Sequence, residues 1–164
     1  MASSTNESYE RLIGLIKQMS LLRSTASLLA WDQETMMPPK GLALRSDQLA
    51  QLARMTHEML TDPKVGELLA ECEADDQWRV DPLDVPAVNL REIRRAYDRA
   101  TALPCSLVEQ LARTSAIARA EWGEARRDDD FAHFRPWLEK LVDLIRQRFR
   151  VIGFDGDDIP GNPA

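Results

Sequence analysis

Apolar residues recur near the start of the chain in alternating steps of three and four: Leu12, Leu15, Met19, Leu22, Ala26 and Leu29. That spacing predicts a helix over about residues 6–31, packed lengthwise on another helix. Ile13, Ile16 and Leu28 widen the stripe beyond a two-stranded seam, so this helix is expected to touch more than one neighbour. Ser3, Ser4, Thr5 and Asn6 all offer N-cap chemistry at its start.

A second stripe, Leu42, Leu49, Leu52, Met55 and Met59, predicts a helix over 42–60. Thr61-Asp62-Pro63 reads as a stop and restart, with Asp62 as N-cap and Pro63 at the first helical position. A short helix over 63–74 then buries Val65, Leu68 and Leu69. The proline- and aspartate-rich stretch 75–86 is the longest expected loop, pinned to the bundle by Trp78. Leu90, Ile93, Tyr97 and Ala100 share one face of a helix over 87–102. Pro104 opens a helix to about 127, with Leu107, Leu111, Ala118, Trp122 and Ala125 inward. Asp128, Asp129 and Asp130 break the pattern. Asp130 caps a short turn at 131–134, and Pro136 opens a last helix to about 152 through Leu138, Leu141, Val142, Ile145 and Phe149. Trp31, Trp122 and Trp137 fall at apolar spacing or helix ends, and core packing is the default expectation for all three.

No strand-like alternation of useful length occurs. The expected fold is all-α, about six helices in antiparallel hairpins joined by short connections. One domain covers 1–152, and the glycine-, aspartate- and proline-rich 153–164 forms a loosely ordered tail.

Composition narrows the function classes. Hydrophobic residues make up 44% and charged residues 29% of the 164, the profile of a globular chain. The balance of 21 basic against 27 acidic residues gives a formal charge of −6 without a basic stripe, which argues against nucleic acid as partner. The N-terminus lacks the basic start and apolar run of a signal peptide, and no stretch approaches a membrane span, so a cytoplasmic location is expected. Cys72 and Cys105 read as ordinary thiols of a reducing compartment.

The densest cluster of chemistry is the corner after the first helix. Asp32 and Glu34 fall where the helix macrodipole disfavours acids by roughly 0.3–1 kcal/mol each, so another group must favour them. Pro38 and Pro39 turn the chain, and Gly41 releases it into the next helix. Arg45 and Gln48, three residues apart on one face, return toward the corner, with Arg45 the candidate to neutralise Asp32 or Glu34.

The run Leu28-Leu29-Ala30-Trp31-Asp32-Gln33-Glu34-Thr35-Met36-Met37-Pro38-Pro39, followed by Gly41, Arg45, Gln48 and Leu49, resembles the N-terminal signature of the Taq-type zinc metallocarboxypeptidases. The blocks 91–104 and 130–142 resemble that family's next two segments, in the same order. The resemblance marks Trp31, Asp32, Gln33, Thr35, Met37, Pro38, Arg45 and Gln48 as signature residues with structural or groove-lining roles.

Catalytic residues do not follow from it. A zincin site needs two histidines one helical turn apart with a glutamate between them. This chain has only His57 and His133, and His57-Glu58 is followed by Met59-Leu60-Thr61. No catalytic residue, metal ligand or cofactor is therefore expected here, and zinc belongs to the part of the family that carries the His-Glu-x-x-His helix. Glycine-rich phosphate loops and a Gly-x-Ser-x-Gly elbow are absent, and 155–160 fails as a calcium loop because Ile159 and Pro160 stand where ligand and glycine are needed.

The resemblance implies a non-catalytic helical domain like the part that walls the substrate groove, serving as an interaction or remnant domain. The alternative is a truncated or split portion of an active carboxypeptidase. A third possibility is a helical regulator that offers the same surface to another protein. A homodimer or a protein partner is expected to cover its exposed helical face.

Overall fold

A computed structural model describes residues 2–79 and 81–153. It contains α1 (Ala2–Thr35), α2 (Leu42–Leu60), α3 (Pro63–Glu73), α4 (Val85–Ala102), α5 (Cys105–Arg127) and α6 (Phe131–Val151), with short 3-10 turns at Pro39–Gly41 and Asp76–Arg79. No strand occurs among the described residues. The fold is all-α.

Helix ends follow local chemistry. Asp62 caps α3 by accepting from the Lys64 amide at 2.9 Å, with Pro63 at the first helical position. Asp84 accepts from the Val85 amide, which starts α4 earlier than the apolar stripe alone indicated. The acidic trio has three distinct positions. Asp128 closes α5, Asp129 adopts a left-handed conformation at φ 53°, and Asp130 donates its amide to the Ala125 carbonyl at 2.8 Å. This is the six-to-one bond of a Schellman ending, with aspartate in the place glycine usually takes. The Asp130 side chain then caps α6 through the His133 amide.

Two helix boundaries depart from expectation. α1 runs from Ala2 to Thr35, so Ser3, Ser4, Thr5 and Asn6 lie within the helix rather than capping it. α6 begins at Phe131 and carries Pro136 inside it, so the separate turn at 131–134 does not exist. With the Asp130 cap fixing the start, loss of one proline amide near the first turns does not break the helix. Of the expected tail, 154–164 lies outside the described residues.

The core divides into two clusters along α1. At one end Leu12, Val65, Leu68, Leu69, Cys72, Leu90 and Ile93 form a buried cluster from α1, α3 and α4. Trp78 joins it by stacking on Tyr9 at 5.1 Å, as the pinning role anticipated. Each fully buried aliphatic side chain contributes about 1.5–3 kcal/mol, so this cluster is the main source of stability at that end. Met19, Leu60 and Ala100 form a smaller cluster further along. α2 packs against both α1 and α5, and the small residues Ser46 and Ala50 on α2 and Ala116 and Ala118 on α5 are all buried.

α6 packs chiefly on α5. Only Leu144 is buried on it, while Leu138, Val142, Ile145 and Phe149 are exposed, contrary to a fully packed last helix. Trp31 and Trp122 are likewise exposed rather than in the core, at 58% and 44%. Both cases have one cause: the periodic apolar positions form two faces, and the described residues cover only one of them.

Candidate functional site

The corner between α1 and α2 is built around Arg45, whose side chain is only 12% exposed. Its Nη2 donates to Asp32 Oδ2 at 2.6 Å, its Nη1 to the Leu29 carbonyl, and its Nε to Gln48 Oε1 at 3.1 Å. Every nitrogen of the guanidinium is thus engaged. A cation placed against the carbonyl end of α1 also offsets the unfavourable position of the acids there. The Asp32 carbonyl accepts from both the Met36 and Met37 amides, closing the helix before the prolines.

The remaining signature residues each take a separate task. Gln33 Nε2 donates to the Ala116 carbonyl at 2.7 Å and ties α1 to α5, as does the ion pair of Glu34 with Arg119. Thr35 Oγ1 donates back to the Trp31 carbonyl at 2.9 Å. Pro38 is extended and its carbonyl accepts from the Gly41 amide at 2.8 Å. Met37 lies against Gly41, where an added Cβ would come within 3.0 Å of its Cγ. Gln48 orients Arg45. Trp31 projects outward with Leu28, Met36 and Leu44, all more than half exposed. The structure therefore gathers Asp32, Arg45 and Gln48 into one network, while Gln33 points to α5 and Trp31 to the outside.

Sequence reasoning missed the α5 half of this corner: Ala116, Arg119, and Arg113 paired with Asp47 on α2. The available signal was that Glu34 and Asp47 had no helical-spacing partner of opposite charge.

Between α1, α2 and α5 lies a cavity of about 700 Å³, with Ala100 and Leu103 also in its lining. Small side chains at helical spacing, Ala26 with Ala30 and Ala112 with Ala116, make its room. His57 lines it and places Nε2 3.0 Å from the Ala100 carbonyl. A carbonyl only accepts, so Nε2 carries the hydrogen there, while the buried Nδ1 meets no protein partner among the described residues. Gln33 Oε1 is in the same condition, because the Ala116 carbonyl takes its amide hydrogen.

His133 is elsewhere, at the start of α6, with Nε2 2.6 Å from Glu121 Oε2. Glu121, Glu124 and His133 bring one ligand atom each within 4.8 Å of one another. His133 is 43% exposed there, and its Nε2 is already engaged by the carboxylate. Neither cysteine is an activated nucleophile. Burial, reinforced by Glu71, Glu73 and Asp75, pushes the Cys72 thiol up to about 11. Burial also raises Cys105, with Glu58 and Glu109 acting in the same direction. Both are free thiols.

The chain belongs to the Carboxypeptidase Taq (M32) metallopeptidase family, whose model matches residues 11–160. It is 40% identical over 155 residues to thermostable carboxypeptidase 1 of Thermus thermophilus, covering 94% of this chain and 30% of that protein. It is 27% identical over 150 residues to thermostable carboxypeptidase 1 of Pyrococcus furiosus, covering 92% of this chain and 29% of that one. Among solved structures, metallocarboxypeptidase 1 of Trypanosoma cruzi matches at a TM-score of 0.63 and 31% identity, over 88% of this chain and 28% of the other. The crystal structure of BsuCP shares the fold at a TM-score of 0.82 and 21% identity, over 91% of this chain and 29% of that one. The chain thus spans about 30% of the length of the curated relatives it matches, and it corresponds to the family's N-terminal helical region.

Proposed function

We propose that this chain is a non-catalytic helical domain that forms one wall of a carboxypeptidase substrate groove and acts through the polypeptide that packs against it. The observation that carries this reading is a complete signature corner in a chain with no His-Glu-x-x-His sequence. The corner spends its polar groups on holding α1, α2 and α5 in place, and it leaves Trp31 and Met36 facing outward. That is the arrangement of a shaped wall rather than of a reacting centre.

A resident catalytic metal does not fit the residues present. His57 is committed to a backbone carbonyl, with Met59, Leu60 and Thr61 following where a second ligand would be needed. His133 is on another helix and paired with Glu121. No step of hydrolysis is assigned to this chain. A partner polypeptide is the second element of the proposal, and the two unpaired thiols fit the reducing cytoplasm as its setting.

The test is release of the C-terminal amino acid from a model peptide by the purified chain, with zinc or cobalt supplied. The expected result is no release above the metal-only control. Metal-dependent release that co-purifies with the chain would overturn the reading.

A further inference from the structure

Glu121 and Glu124 stand three residues apart near the end of α5 and so share one face of it. Across the α5–α6 turn, His133 in the first turn of α6 brings its Nε2 to 2.6 Å from Glu121 Oε2. One donor atom from each of the three residues lies within 4.8 Å of the other two. The approach is held from both sides. Trp122, next to Glu121, packs on Phe134, next to His133, with ring centroids 5.1 Å apart. The Asp130 carboxylate accepts from the His133 amide at 3.1 Å, which fixes where the imidazole starts from. Glu121 is the sheltered member, its side chain 22% exposed. Glu124 makes no ion pair with lysine or arginine among the described residues.

We infer that Glu121, Glu124 and His133 bind a single divalent cation of the zinc class, which staples α6 to α5. The imidazole is what separates this cluster from a patch of surface acids. One ring nitrogen with two carboxylates is a donor set for zinc and its transition-metal neighbours, whereas calcium and magnesium take oxygen throughout. Two carboxylates also balance the charge of the cation and relieve their own repulsion on one helix face. Zinc bonds of about 2.1 Å in a tetrahedral site set donor atoms roughly 3.4 Å apart. That lies between the present 2.6 Å contact and the 4.8 Å limit of the cluster, so rotation of the exposed Glu124 and His133 side chains closes the site. The cation takes the place of the hydrogen now held between Nε2 and Oε2. Since α6 packs chiefly on α5, a shared ion reinforces the one attachment on which the last helix depends.

The experiment titrates the untagged, chelator-treated chain with zinc and follows its imidazole resonances by NMR. The chain has only 2 histidines, and His57→Gln assigns their signals. The expected result is one zinc per chain, with His133 shifted, His57 unmoved and the Tm raised by the metal. Calcium at the same concentration is expected to leave His133 unmoved. Glu124→Gln, which has no ion pair to lose, is expected to keep the metal-free Tm and to bind zinc at least about tenfold more weakly, the smallest loss that removing even a supporting group around a metal produces. Zinc that shifts His57 instead of His133, or shifts neither, overturns the site. Binding unchanged by Glu124→Gln assigns the ion to scattered surface carboxylates and also overturns it. One zinc for two chains assigns the ion to a contact between copies, with the same consequence. None of these outcomes bears on the groove wall, because the three residues lie outside the signature corner and peptide release tests that reading separately.

Discussion

Arg45 is the residue on which the corner depends, because one side chain engages an acid, a carbonyl in the last turns of α1 and a neighbouring side-chain amide at once. Removing it leaves Asp32 without a countercharge in a partly buried position. In a cycle of Arg45→Met, Asp32→Asn and the double variant, urea unfolding is expected to give a coupling energy of about 1–2 kcal/mol. The fully buried range is reduced here because Asp32 is about one-third exposed. A coupling near zero would make the corner a surface ion pair.

Cys72 supplies a second prediction at this scale. Its folded pKa is raised from 9.0 to about 11, so between those values the unfolded chain releases a proton that the folded chain keeps. The unfolded state then binds fewer protons, and stability falls as pH rises, by about 1.4 kcal/mol for each unit across that window. Denaturant titrations from pH 9 to 11 are expected to show this slope, and Cys72→Ala to lack this component. The sequence made the Asp32–Arg45 pair legible because both partners lie within one hairpin. It hid Glu34–Arg119 and Gln33–Ala116, because these cross between helices whose register no local pattern states.

At the scale of elements, α2 is predicted at its observed bounds and α3 to within a residue of its end, because proline, glycine and aspartate punctuate both ends of each. The starts of α1 and α6 were misread for the opposite reason. Ser3 to Asn6 are cap residues with helix on both sides of them, and Pro136 is a helix starter by habit, placed after a stronger cap at Asp130. Close approach between elements is also residue-specific. A Cβ added at Gly66 of α3 would lie 2.6 Å from the Tyr97 hydroxyl and 2.9 Å from its ring carbon Cζ. Gly66 is what lets α4 lay Tyr97 across α3. Gly66→Ala is therefore expected to destabilise the chain by about 1–3 kcal/mol despite the better helix propensity of alanine. Tyr97→Leu in the same chain should recover part of the loss, measured as the shift in denaturation midpoint.

Over the whole molecule, the all-α class follows from periodicity alone, but the partition of apolar faces does not. The stripe of α1 and the stripe of α6 look alike in sequence. One meets α2, α3 and α4, and the other packs chiefly on α5 and leaves Leu138, Val142 and Ile145 more than a third exposed. A hydrophobic pattern reports that a face is to be covered and is silent on what covers it. The cavity beside the corner was equally hidden, although its alanines at helical spacing were visible once the neighbours were known. The same limit applies to the groove-wall role, which depends on a surface completed by other residues.

The manner in which α6 is attached has a consequence for how the free chain breathes. Opening α6 requires loss of its contacts with α5 and little else, whereas exposing the amides around Leu12, Leu69 and Cys72 requires parting three helices. Amide hydrogen exchange should therefore divide the chain into two tiers, with α6 exchanging well before α1, α3 and α4 at neutral pH. Proteases should nick the α5–α6 turn first and leave the rest folded. Uniform exchange across all six helices would mean that the last helix is as firmly held as the first.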